Sequence, residues 1–188
     1  LEAFDALSEW GADSIRVGIG GGSICSTRLV TGHGVPTLQS VLDCARTKYD
    51  TKIIADGGIK TTGDMVKAFA AGADFVMAGS LLAGTRETPG DVLKTNDGIK
   101  YKVYRGMASR NAQKDYRGRS STPEGISTTV PYKGGVEQIL QDFHGGIASG
   151  LSYTGVTTLK EFQQKSKFIK QSTAGRTESS THILGRNK

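Results

Sequence analysis

Hydrophobic positions along this chain change period several times, and each change marks an element. Leu1, Phe4, Leu7 and Trp10 recur at helical spacing, and Gly11 stands where a left-handed residue closes a helix. Ser14 to Val17 reads as a short strand. After a glycine-rich stretch, Pro36 precedes Thr37, which is placed to cap a helix bearing Leu38, Val41, Leu42 and Ala45. Thr51 to Ala55 is a second strand, continuous enough in apolar character to be buried on both faces. Thr62 is expected to cap the next helix, with Met65 and Phe69 inward and Gly72 at its end, and Asp74 to Ala78 is a third strand.

Strands alternating with helices across short connections predict an α/β fold with parallel strands and right-handed crossovers. From Thr85 to Lys133 the period disappears among charged and small residues, and a loop of that length is expected to be a lid or disordered. Val136, Ile139, Leu140, Phe143 and Ile147 restore a helix, and a shorter one follows around Leu159 and Phe162. Beyond Lys170 the chain is Ser, Thr, Gly and Arg, a tail expected to stay flexible unless a neighbouring subunit holds it.

The candidate chemistry sits after the first strand, in Gly18-Ile19-Gly20-Gly21-Gly22-Ser23-Ile24-Cys25-Ser26-Thr27-Arg28. Four glycines in five residues admit positive φ and let a ligand approach bare backbone N–H groups, an anion-binding arrangement. Cys25 stands where it could attack a bound molecule, given nearby positive potential from loop amides or Arg28. A flexible turn with an inert thiol is the competing reading. Cys44 lies on the apolar side of its helix and reads as core, and His33 and His144 read as structural or surface residues.

Composition narrows the classes. The chain has 188 residues, too few for a complete (β/α)8 barrel of about 200 to 250. With no initiating Met, it is expected to be the later part of one. Two cysteines make no disulfide framework and no membrane or signal segment is visible, so a reducing, cytoplasmic setting is expected. The net charge of +6 points to an anionic ligand such as a nucleotide phosphate. Basic residues interleaved with aromatics on one face are missing, so a nucleic-acid groove is disfavoured.

Four ordered stretches resemble the IMP dehydrogenase/GMP reductase family: the cysteine loop, close to G-x-G-x-G-S-x-C-x-T-R, then Ala55-Asp56-Gly57-Gly58, Gly79-Ser80-Leu81-Leu82-Ala83-Gly84 and Tyr104-Arg105-Gly106-Met107. The resemblance implies the C-terminal part of a TIM (β/α)8 barrel over residues 1–170, with a mobile flap at about 85–133 and a tail at 171–188. It further implies a purine nucleotide oxidoreductase in which Cys25 attacks C2 of the base, assisted by Thr27 and by Glu124 of Pro123-Glu124-Gly125-Ile126. Asp56, with Gly57 and Gly58, would bind ribose hydroxyls, as an acidic residue at a strand end does elsewhere. Ser23, Gly79 and Ser80 would hold phosphate, with a short helix expected from Leu81 to Gly84, and Tyr104, Gly106 and Met107 would contact phosphate and base.

Gly18 would border the nicotinamide of NAD, or NADP in a reductase. Backbone oxygens of Gly20, Gly22 and Cys25, with Glu178, Ser179 and Ser180 of a neighbouring subunit near His182, would bind potassium in a homotetramer. Local motifs resemble the dehydrogenase branch, which makes XMP and NADH from IMP, NAD and water. The short flap resembles the reductase branch, which turns GMP into IMP and ammonia with NADPH. Dehydrogenases carry an Arg-Tyr pair that activates water, whereas this flap reads Asp115-Tyr116-Arg117, leaving Arg117 or Arg119 as substitutes. Ala108 replaces a glycine common in dehydrogenases. A non-catalytic nucleotide-binding relative is the alternative of another class, and it would have no need of Cys25 and Thr27.

Overall fold

The computed structural model describes residues 1–181. Helix α1 (Glu2–Glu9) leads into β1 (Ser14–Val17), followed by the short α2 (Thr27–Thr31) and by α3 (Thr37–Cys44), β2 (Lys52–Asp56), α4 (Thr62–Ala70) and β3 (Phe75–Met77). The three strands form a parallel sheet in the order β1-β2-β3, with Val17 beside Ala55 and Asp56 beside Met77. Parallel order with helical crossovers makes this an α/β fold, as the alternation of periods requires.

Side chains alternate across the sheet, so Ile53 and Ala55 point one way and Ile54 and Asp56 the other. The first face packs on the helices: Val41, Ile53, Ala55, Met65, Phe69 and Phe162 are all buried in one cluster. Fully burying one such side chain stabilises the fold by about 1.5–3 kcal/mol. Burial on both faces, expected for β2, is not what the chain provides. Ile54 is half-buried and its neighbour on β3, Phe75, is 57% exposed, because no helix among the described residues covers that face.

Two expected caps lie one residue off. Pro36, not Thr37, is the cap of α3, and it has no side-chain hydrogen bond to give. Thr61 rather than Thr62 caps α4, in a reciprocal box in which its hydroxyl accepts from Asp64 N and the Asp64 carboxylate accepts from Thr61 N. Asp64 three residues on decides between two adjacent threonines.

The region from Thr85 to Lys133, expected to lack period, contains regular structure. Strands β4 (Leu93–Lys94), β5 (Lys100–Arg105) and β6 (Ser127–Pro131) form an antiparallel sheet, and α5 (Arg110–Arg117) lies between the last two. Lys102, 2% exposed, replaces an apolar residue on the inner side of β5 and donates through Nζ to the carbonyl oxygens of Thr85, at 3.1 Å, and of Thr88. Helix α6 (Glu137–Thr154) then crosses α4, and α7 (Leu159–Lys165) closes the core with Phe162. Gly146 and Gly150 bring the two helices together, since a Cβ there would stand 2.4 Å from Thr62 Cγ2 and 2.7 Å from Val66 Cγ1. In the tail, α8 (Thr173–Glu178) is a short exposed helix. His182 lies outside the described residues.

Candidate functional site

The loops at the C-terminal ends of β1, β2 and β3 converge on one cleft of about 380 Å³. The first two pack backbone on backbone. Gly58 N donates to Gly21 O at 2.8 Å, and a Cβ on Gly18 would stand 2.1 Å from Asp56 O. Gly18, at φ 121°, is therefore required where two strand ends meet, whatever it does for a ligand. Arg28 braces the same loop from α2, donating through Nη2 to Ile19 O at 3.3 Å and Val35 O at 2.7 Å. Its recorded partners are thus loop carbonyls, and the bare amides of the loop are the other expected source of positive potential at Cys25.

A turn in which Cys25 N donates to Gly22 O at 3.1 Å sets the half-buried cysteine at the cleft, with Sγ 3.2 Å from Thr27 Oγ1. Asp56 ends β2 beside it, paired through Oδ2 with Arg16 Nε at 3.0 Å. Arg16 was not foreseen. It sits on the open face of β1, in register with Ile54, and a charge inside a buried strand is the signal that could have revealed it. One oxygen of Asp56 and further lone pairs remain to accept from hydroxyls.

Ser23 Oγ and Tyr104 Oη lie 3.4 Å apart, and a Cβ on Gly79 would be 3.0 Å from the same phenol oxygen. Loop, β3 end and β5 therefore meet at one point. The helix expected from Leu81 to Gly84 is instead a run of turns that begins at Gly79, whose carbonyl accepts from Leu82 N at 3.1 Å and Ala83 N at 3.0 Å. Lys133, also not foreseen, clamps it by donating to Ser80 O at 2.9 Å and Leu81 O at 3.0 Å, and burial pushes its amine below the usual lysine range.

The segment before β6 is joined to the cysteine loop by an antiparallel bridge. Ser26 N donates to Glu124 O at 2.8 Å and Ile126 N donates to Ile24 O at 3.0 Å, so Cys25 faces Gly125. A Cβ on Gly125 would stand 3.1 Å from Ser109 N. Glu124 thus arrives beside Cys25 and Thr27 by backbone pairing. Ser23, Asp56, Gly57, Gly58, Gly79 and Ser80 line the cleft, as do Tyr104, Gly106, Met107, Gly18, Gly20 and Gly22. Arg117 and Arg119 are not among the residues lining it, whose cationic side chains are Arg16 and Lys60. Glu178, Ser179 and Ser180 lie at the exposed end of α8, away from the cleft lining. Among the described residues no cluster of His, Cys, Asp and Glu could hold a metal ion, and no helix is long and apolar enough to cross a membrane.

Comparison with known proteins gives a consistent answer. Residues 1–182 match the family model for the IMP dehydrogenase / GMP reductase domain. Inosine-5'-monophosphate dehydrogenase of Nitrosopumilus maritimus is 48% identical over 94% of this chain, and GMP reductase of Leishmania major is 47% identical over 98%. The chain spans 40% of the length of each. Among solved structures, a cysteine-to-alanine variant of GMP reductase from Trypanosoma brucei, in complex with guanosine 5'-monophosphate, superposes with a TM-score of 0.91 at 45% identity. That match covers 96% of this chain and 38% of the other.

Proposed function

The chain belongs to the IMP dehydrogenase / GMP reductase family, and from that premise we propose that it forms the C-terminal part of a catalytic (β/α)8 barrel of a purine nucleotide oxidoreductase. The observation that carries this reading is the cleft itself. A thiol with a hydroxyl at 3.2 Å, a strand-end carboxylate and three glycine-rich loops converge in a volume suited to one nucleotide. In this reading the flap is residues 85–133 and the tail 171–188.

Cys25, its thiol proton given up, would add through sulfur to C2 of the purine, and a bound NAD would supply the hydride acceptor for that carbon. Asp56 accepts from the ribose hydroxyls, oriented by Arg16. Ser23, the Gly79-Ser80 turn and the Tyr104 hydroxyl hold the phosphate, and Gly106 and Met107 border the base. Thr27, within reach of the sulfur, orients the water that hydrolyses the thioimidate, returning the thiol and XMP. Gly18 leaves no room for a side chain, and would border a bound nicotinamide through bare backbone. Carbonyls of Gly20, Gly22 and Cys25 are hard oxygen donors of the kind a potassium ion takes. Glu178, Ser179 and Ser180 would complete that site from the next subunit of a homotetramer. A cytoplasmic setting belongs to the same proposal.

The dehydrogenase direction rests on the local motifs around Ser80, Tyr104 and Glu124. One observation favours GMP reduction as a second reading: the flap arginines do not line the cleft, whereas Glu124 and Thr27 stand where a proton could pass to departing ammonia. General-base help is worth about a hundred- to ten-thousandfold in rate, so dehydrogenation without it is slow at the hydrolytic step. In the full-length protein carrying this chain, IMP and NAD should yield NADH slowly, with the covalent intermediate accumulating and the rate rising with potassium. Consumption of NADPH with GMP, without NADH from IMP, would reverse the assignment. Binding of nucleotide with neither reaction would leave a non-catalytic relative.

A further inference from the structure

We propose that Gln113 is a positioning residue that sets Glu124 in place against the Cys25–Thr27 pair. Gln113 lies on α5, whose polar residues otherwise face outward, yet it is only 6% exposed. A buried primary amide must find partners for its N–H groups and its oxygen. Gln113 finds them in Ala108, just before its own helix, and in Ser121 and Thr122, just before Glu124. Its Nε2 donates to Ala108 O at 3.0 Å and to Thr122 O at 3.5 Å, and its Oε1 accepts from Ser121 N at 2.7 Å and Ser121 Oγ at 3.2 Å.

These bonds lead directly to the cysteine loop. The carbonyl of Ala108 that Gln113 engages also accepts from Glu124 N at 3.1 Å, and Glu124 O accepts from Ser26 N at 2.8 Å. One amide therefore fixes the carbonyl on which Glu124 hangs and the two residues, Ser121 and Thr122, that lead towards it. The segment Gly118-Arg119-Ser120-Ser121-Thr122 has no large apolar side chain to anchor it, so hydrogen bonds set its course. Without the amide, Ser26 would still tether the backbone of Glu124, but the approach from α5 would be free to shift.

The proposal rests on the reading that Glu124 acts on the reacting group. The test compares Gln113→Met, Gln113→Glu, Glu124→Gln and the double variant Gln113→Met/Glu124→Gln in the full-length protein carrying this chain. A misplacement near 1 Å at the chemistry costs up to about a hundredfold, so Gln113→Met should lower kcat by about ten- to a hundredfold with the nucleotide KM within about twofold. Gln113→Glu keeps the acceptor for Ser121 but has no N–H for Ala108 O and Thr122 O, so it should lose at least as much. The double variant should be no slower than Glu124→Gln alone, because residues that act through one another are not additive. If the two losses multiply, or if KM rises in step with the fall in kcat, Gln113 does not act through Glu124 and the proposal fails. Full activity of Glu124→Gln would instead overturn the role given to Glu124, and the positioning role with it. Gln113→Met is close in volume, but should it not fold, the same cycle is run with Gln113→Glu.

Discussion

Cys25 and Cys44 place the same side chain in two environments, and that contrast yields a chemical test. Cys44 sits on α3 inside the core, and desolvation pushes its thiol above the ordinary value. Cys25 is half-buried, opens on the cleft and has a hydroxyl for a neighbour. An alkylating agent should modify Cys25 well before Cys44, and IMP should slow only the first reaction. Raising the pH should not bring Cys44 level. Because its folded value is raised, the folded state keeps that proton where the unfolded chain begins to lose it. The stability linked to Cys44 is therefore complete below the ordinary thiol range and is lost as pH climbs through it to the raised value. Mass-spectrometric mapping that finds both cysteines labelled at one rate would remove the distinction. The grouping of these residues was legible in the motifs, since Cys25, Thr27, Asp56 and Ser80 do line one cleft. Arg16 and Lys133 were not legible, because the partner of each is distant in sequence, and Gln113 was not, because nothing in a polar helix marks which residue turns inward.

Between elements, the decisive contact is that of the β1 and β2 loops, where Gly18 meets the carbonyl of Asp56. Gly98, in the β4–β5 turn, makes a useful control because its φ of 85° is also left-handed but open space surrounds it. Replacing Gly98 by Ala should cost about 1 kcal/mol, from backbone strain alone. Gly18→Ala carries that strain and a clash at 2.1 Å with backbone that cannot rotate away, so its loss should be at least about twice as large. Equal shifts in melting temperature for the two variants would mean that the loop contact is loose. Element positions followed from the sequence wherever an apolar stripe met a helical face: β1 occupies its expected residues, and Met65 and Phe69 face the core. Strand β5 was illegible for a physical reason. Its alternation is inverted, with Lys102 buried and Val103 54% exposed, because carbonyls of the Thr85–Thr88 turn solvate the ammonium group inside the fold. No hydrophobicity pattern can anticipate a cation that is satisfied by backbone so far away in sequence.

At the scale of the molecule, the two faces of the parallel sheet differ. Ile53 and Ala55 are covered by helices, whereas Ile54, Phe75 and Met77 lie on the face that carries Arg16 and Asp56 and that no helix among the described residues covers. Parallel sheets persist with both faces covered, and outer strands with unpaired backbone invite association. Among the described residues β1 and β3 are the outer strands of that sheet, each paired only with β2. Expressed alone, it should bind a hydrophobic dye and elute from a sizing column as more than one copy. The dye should compete with self-association, because both use the Phe75 and Met77 face. Phe75→Ser should weaken both effects while leaving the helix-covered core intact, since Phe75 does not belong to the buried cluster. The dye should lose less from Leu140→Ser, an exposed site on α6, than from Phe75→Ser. A monomeric, dye-silent chain with one sharp unfolding transition would show that three strands and one helical layer suffice, and that the open face is tolerated as it stands.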